Sequence, residues 1–164
     1  MNEGLERLRI LIVDDNQHMR AIVGAILKSA GVTHIREAAH GGQALKILKD
    51  WPADIAIVDF QMAPMDGLAF TKAVRNQETP NPYLPIIMMT GYAERQRVFE
   101  ARDAGVTEFL VKPVTAKGVL DRLNAAIFKP RDFVKHDAYF GPTRRRVSGD
   151  GHVGPRRRAE DAKA

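Results

Sequence analysis

Carboxylates stand directly after two apolar runs. Asp14 and Asp15 follow Ile10-Leu11-Ile12-Val13, and Asp59 follows Ile55-Ala56-Ile57-Val58. Apolar runs of this length, rich in β-branched residues, fit strands buried on both faces. The residue after such a run lies at the strand's carboxyl end, the edge where open parallel α/β sheets bind ligands. Three carboxylates converging there repel one another and raise each other's pKa unless a cation joins them. Oxygen-only ligands, few and rigid, favour Mg2+.

Two further runs end on polar residues. Ile86-Ile87-Met88-Met89 leads into Thr90-Gly91, and Glu108-Phe109-Leu110-Val111 leads into Lys112-Pro113. A hydroxyl and an ammonium thus join the carboxylates at the same edge. Such a set suits a phosphoryl group arriving on an oxygen nucleophile, since each part neutralises or hydrogen-bonds a phosphoryl oxygen.

With these pieces in this order, the chain resembles the receiver domain of two-component response regulators, of the stand-alone chemotaxis type. The resemblance spans residues 8–128. It is carried by Asp14-Asp15, the segment from Asp59 through Gln61, Pro64 and Asp66 to Gly67, Thr90-Gly91 and Lys112-Pro113. It implies that Asp59 accepts a phosphoryl group from a histidine kinase or phosphotransfer protein. It further implies that Asp14, Asp15, Asp59 and the Gln61 carbonyl hold Mg2+, that Thr90 and Lys112 bind the phosphoryl group, and that Thr90 and Phe109 form the switch. The chain would then be an acceptor that signals by conformational change to a separate downstream protein, not an enzyme in its own right. The family usually places Met and Pro together, whereas Ala63 separates Met62 from Pro64 here; the Asp59–Gly67 spacing is kept, so an altered loop around an intact site is expected. Gln61 and Tyr92 fall where side chains flank the phosphoryl group, and Tyr92 is expected to lie over the water's approach to Asp59. Asp66 is expected to cap the next helix, with Gly67 relieving backbone strain.

Five strand patterns alternate with helical ones, which implies a doubly wound parallel sheet covered by helices on both faces, in the flavodoxin-like order 2-1-3-4-5. Residues 16–30 show helical spacing at Met19, Ile22, Val23, Ile26 and Leu27, and Gly31 ends it. Further helices are predicted over 41–49, 68–76, 93–104 and from 116, the last capped by Thr115. The 93–104 helix carries few apolar residues and should be exposed and weakly anchored.

Charge divides the chain. Residues 1–128 hold 15 Lys+Arg against 15 Asp+Glu, and residues 129–164 hold 10 against 5, so the whole net charge of +5 lies in the tail. The organisation expected is an arm over 1–7, a receiver over 8–128 and a basic Pro/Gly/Arg-rich tail over 129–164, mostly disordered. Within that tail, Phe133-Val134 and Tyr139-Phe140 can dock on the domain. Two triplets, Arg144-Arg145-Arg146 and Arg156-Arg157-Arg158, could meet nucleic acid or an acidic surface. Little aromatic interleaving near them argues against a specific nucleic-acid reader.

The 0 cysteines exclude disulfides and thiolate chemistry and fit a reducing cytoplasm. No apolar run is long enough for a transmembrane helix. A phosphohydrolase using Asp59 would need an acid–base carboxylate beside it, and Gln61 stands two residues on instead.

Overall fold

The computed structural model describes residues 4–76, 78–136 and 139–143. Five strands, β1 (Arg9–Val13), β2 (His34–Ala38), β3 (Ile55–Asp59), β4 (Ile86–Thr90) and β5 (Glu108–Val111), form one parallel sheet in the order β2-β1-β3-β4-β5. The central strands β3 and β4 are buried along their whole length, as continuous apolar runs require. The edge strands are less covered: β2 buries only Ala38, whereas β5 buries Glu108 and Leu110 between more exposed residues.

Side chains alternate across the sheet, so each strand feeds two cores. Leu11, Val13, Ala56, Val58, Ile86 and Met88 face α2 (Gly41–Asp50), α3 (Gly67–Arg75) and α4 (Val98–Ala104). Ile10, Ile12, Ile55, Ile57, Ile87, Met89 and Leu110 face α1 (Gln17–Ser29) and α5 (Ala116–Phe128). Each fully buried Ile or Leu in these layers contributes roughly 1.5–3 kcal/mol of transfer free energy. The carboxyl ends of β1, β3, β4 and β5 are thereby fixed at one edge.

Caps divide labour with the site. Asn16, not Asp14 or Asp15, caps α1: its side-chain oxygen accepts the His18 and Met19 amides. Both aspartates are left for other work. Thr115 caps α5 through the Gly118 amide and Asp66 caps α3 through the Ala69 amide, as the sequence predicts.

The helix predicted over 93–104 is split. Tyr92–Arg97 is a 3-10 turn, and α4 begins only at Val98. Glu94 closes this turn at its start, where its carboxylate accepts the Gly91 amide. The few apolar residues there bury little surface that would enforce α-helical winding.

The tail segments expected to dock on the domain do so. Phe133–His136 (β6) and Tyr139–Pro142 (β7) form an antiparallel hairpin. Phe133 and Phe140 pack on Tyr83, with ring centroids 5.1 and 5.4 Å away and edge-on geometry. At the hairpin's base Arg131 lies 3.5 Å from Glu108 of β5, and its Nη1 donates to the Thr143 carbonyl at 3.0 Å. The hairpin, beyond residue 128, thus packs against residues of the receiver. The Arg144–Arg146 and Arg156–Arg158 triplets lie outside the described residues.

Candidate functional site at the carboxyl edge

Asp14 follows β1 and is tied down on three sides. Its amide donates to the Ala38 carbonyl at 3.0 Å, its Oδ1 accepts the Asn16 amide at 2.9 Å, and its carbonyl accepts Arg20 Nη1 at 2.6 Å. Only 1% of the residue is exposed, and Oδ2 is buried with no partner. Asp59 is the last residue of β3, in register with Met89 of β4. Lys112 Nζ sits 2.6 Å from Asp59 Oδ1. The Lys112 amide donates to the Thr90 carbonyl at 2.8 Å, so the β4 and β5 ends that carry the hydroxyl and the ammonium are laced together.

Asp14, Asp15 and Asp59 each bring a carboxylate oxygen into a group spanning no more than 4.8 Å. The crowding shows in their protonation. Burial pushes Asp14 up to about 6, and the charges of Asp59 and Asp15 add to the rise despite the Asn16 amide and Lys112. Burial also raises Asp59; Lys112 opposes this and Asp15 reinforces it. At Lys112 burial favours loss of the proton, but the Asp59 carboxylate outweighs it and the pKa is raised. A buried carboxylate oxygen without a donor, beside two more carboxylates, is what a hard divalent cation would satisfy. The residues present therefore fit magnesium.

The loop after Asp59 is shaped by contact. The structure gives a different reason for Gly67 than backbone strain. Any Cβ at this position would run into the Asp59 carbonyl oxygen and come within 2.9 Å of Met88 Sδ. The Gly67 amide donates to the Phe60 carbonyl at 3.0 Å, which closes the loop over Gln61 to Asp66. The Ala63-Pro64 and Lys112-Pro113 peptide bonds are both cis. Despite the displaced proline, the three carboxylates and Lys112 meet.

Gln61 is exposed in this loop, two residues past Asp59. Phe109 is half-buried, pairs in register with Met88 and packs against the core beneath α2, α3 and α4. Tyr92 does not lie over Asp59. It is 85% exposed, and its ring meets the Arg95 guanidinium 5.5 Å from its centroid. Sequence position placed it near the site but carried no information about where its ring turns.

Two residues near the site had escaped the sequence reading. Arg20 holds the Asp14 carbonyl and pairs with Glu37 at 2.8 Å. Glu94 is buried and accepts the Gly91 amide at 2.7 Å. The second could have been found, because Gly-x-x-Glu before a helical segment is a variant of the capping box.

Comparison with known proteins agrees with this geometry. Residues 10–124 match the response regulator receiver domain. The chain is 37% identical over 119 residues to the chemotaxis protein CheY-3 of Vibrio cholerae serotype O1, covering 73% of this chain and 91% of that protein. The high-resolution structure of the chemotaxis response regulator CheY4 of Vibrio cholerae superposes with a TM-score of 0.67 at 32% identity, over 73% of this chain and 98% of that one. The receiver domain of sensor histidine kinase PA1611 from Pseudomonas aeruginosa, solved with a magnesium ion coordinated in its active site cleft, gives a TM-score of 0.64 at 27% identity, over 71% of this chain and 94% of that one.

Proposed function

The chain belongs to the response regulator receiver family, and from that premise we propose that Asp59 is its phosphoacceptor and that a phosphohistidine on a sensor histidine kinase or phosphotransfer protein is the donor. The observation that carries this reading is the buried Asp59 carboxylate, held 2.6 Å from Lys112 and grouped with the carboxylates of buried Asp14 and exposed Asp15. The carboxylate attacks phosphorus, the phosphorus–nitrogen bond breaks, and the imidazole nitrogen keeps the electron pair and takes a proton from solvent. Lys112, already bound to the nucleophile, compensates charge as the phosphoryl oxygens arrive. Thr90, at the end of the neighbouring strand, supplies a hydroxyl donor. Magnesium held by Asp14, Asp15, Asp59 and the Gln61 carbonyl would neutralise charge between the carboxylate and the phosphoryl oxygens.

Phosphorylation adds nearly two negative charges and three acceptor oxygens. Thr90 moves toward them and Phe109 turns into the space vacated, which shifts the population of the α4–β5 surface. A separate downstream protein reads that surface. The described residues contain no helix long and apolar enough to cross a membrane, and we place the exchange in the cytoplasm.

Intact mass after incubation with a small phosphodonor and Mg2+ tests the assignment. The wild type should gain one phosphoryl group, and Asp59→Asn none. A phosphoryl gain by Asp59→Asn sinks it.

A further inference from the structure

Glu94 has no part in the phosphoryl transfer described above, yet it is held like a working residue. Only 7% of it is exposed, which is rare for a carboxylate. Its Oε1 accepts the Gly91 amide at 2.7 Å, while its own amide donates to the Gly91 carbonyl at 3.2 Å. Glu94 thus grips from both sides the residue that follows Thr90. Lys112 closes on the same point. A Cβ at Gly91 would meet Glu94 Oε1 at 3.3 Å and Lys112 Cδ at 3.9 Å. The carboxylate and the lysine stem therefore flank one α-carbon. Glu94 lies outside the group formed by Asp14, Asp15 and Asp59, on the side of the pocket where β4 passes into the 3-10 turn Tyr92–Arg97. Its charge still reaches both Asp59 and Lys112, adding to larger influences at each.

We propose that Glu94 is a charge-sensing positioning residue, which holds the Thr90–Gly91 turn while Asp59 is free and is repelled from it when a phosphoryl group arrives. The inference rests on the reading of Asp59 as acceptor. Clamping the Gly91 amide to the Glu94 carboxylate restrains Thr90, the residue before it, and so resists its movement toward a phosphoryl oxygen. A phosphoryl dianion brings like charge into a poorly screened space, where repulsion is far stronger than in bulk water. The bond to Gly91 weakens, Thr90 gains its freedom, and the 3-10 turn that begins the α4 segment loosens with it. Charge in the pocket is thereby converted into motion at the start of the α4 segment by a residue that touches neither the phosphoryl group nor the cation.

Glu94→Gln separates charge from structure, because glutamine keeps an acceptor for the Gly91 amide. The variant should label from a small phosphodonor about three- to tenfold faster than wild type, since the repulsion is gone. A purely structural cap predicts no change in rate. The Gly91 amide proton provides a second readout in the unaltered protein. Charge-assisted bonding should hold it well downfield, and beryllofluoride with Mg2+ should move it upfield. Equal labelling by Glu94→Gln and wild type, with a Gly91 proton that ignores beryllofluoride, would overturn the inference. If Asp59→Asn is unlabelled in the same series, that failure belongs to Glu94 alone. If Asp59→Asn is labelled, the reading of Asp59 falls and this inference falls with it.

Discussion

Two charges are buried at opposite edges of the same sheet, and their surroundings differ in kind. At the carboxyl edge Asp14 keeps an oxygen with no donor, next to two more carboxylates. At the amino edge of β4 and β5, Arg75 is 4% exposed and spends every N–H it has. Its Nε and Nη2 donate to the Gly105 carbonyl at 3.0 and 2.8 Å. Its Nη1 donates to the Pro82 and Leu84 carbonyls at 2.9 and 2.7 Å, and Nη2 also reaches Thr107 Oγ1 at 3.4 Å. The Phe133 ring of the hairpin covers it, 5.0 Å from Cζ. Burial pulls the guanidinium down to about 10, which still leaves it charged near neutral pH. Burial alone therefore does not mark a binding site. What marks one is hydrogen-bonding capacity left over, and Asp14 has it where Arg75 has none.

Removing each charge should then act with opposite sign. Arg75→Met strands three backbone carbonyls and should cost about 3 kcal/mol in denaturant unfolding, with Asp59 labelling intact in the protein that remains folded. An unchanged midpoint would show that Arg75 is not the satisfied structural charge described. Asp14→Asn relieves repulsion and should stabilise the metal-free protein by about 1–2 kcal/mol, while weakening Mg2+ binding at least tenfold by fluorescence or calorimetric titration. Loss of stability on this substitution would erase the contrast.

The pH dependence sharpens it. Asp14 titrates at about 6 when folded against 3.8 when unfolded, so between those values the folded state holds the extra proton. Its contribution to stability is greatest below pH 4 and is lost as pH rises through 6, by roughly 2–3 kcal/mol at the upper limit. The raised Asp59 acts in the same direction. Magnesium binds the charged form, so it should stabilise strongly at pH 7.5 and weakly at pH 5. Equal stabilisation at the two pH values would disconnect the carboxylates from the metal. Smaller effects are expected farther out. Deleting residues 131–164 uncovers Arg75 and should lower the melting temperature by several degrees, yet leave the labelling rate within about twofold. A labelling rate that collapses would mean the two edges are coupled through the sheet. Tyr92→Ala should not alter the rate at which the phosphoryl group is lost, because the exposed ring covers nothing at Asp59.

The strands and the carboxyl-edge site were legible because both are local in the sequence. An apolar run buried on two faces announces a strand, and the polar residue after it announces the edge, so Asp14, Asp59, Thr90 and Lys112 could be placed without coordinates. The hairpin was not legible in that way. Phe133, Val134, Tyr139 and Phe140 were visible as apolar, but Tyr83 and Arg75, on which Phe133 packs, lie 50 or more residues earlier. The Gly-x-x-Glu spacing could have revealed the grip of Glu94 on Gly91, but it does not say that the turn it closes is 3-10 rather than α-helical. The ring direction of Tyr92 is a choice of rotamer, and no pattern of residue types determines it.

Gly105 ends α4 with φ of 108°, and Arg75 fills the space where its side chain would be. Gly141 of β7 faces it: a Cβ there would lie 3.1 Å from the Gly105 α-carbon and 2.6 Å from Tyr139 Oη. Tyr139 in turn donates that hydroxyl to the Pro142 carbonyl at 2.6 Å. Four residues from three distant stretches of chain thus share a single volume, and a methyl group added to any one must displace the next. For a lineage descending from this chain, the four behave as one inherited character. Single changes at Gly105 or Gly141 should be rejected, and lineages that lose the hairpin should be the ones free to replace Arg75.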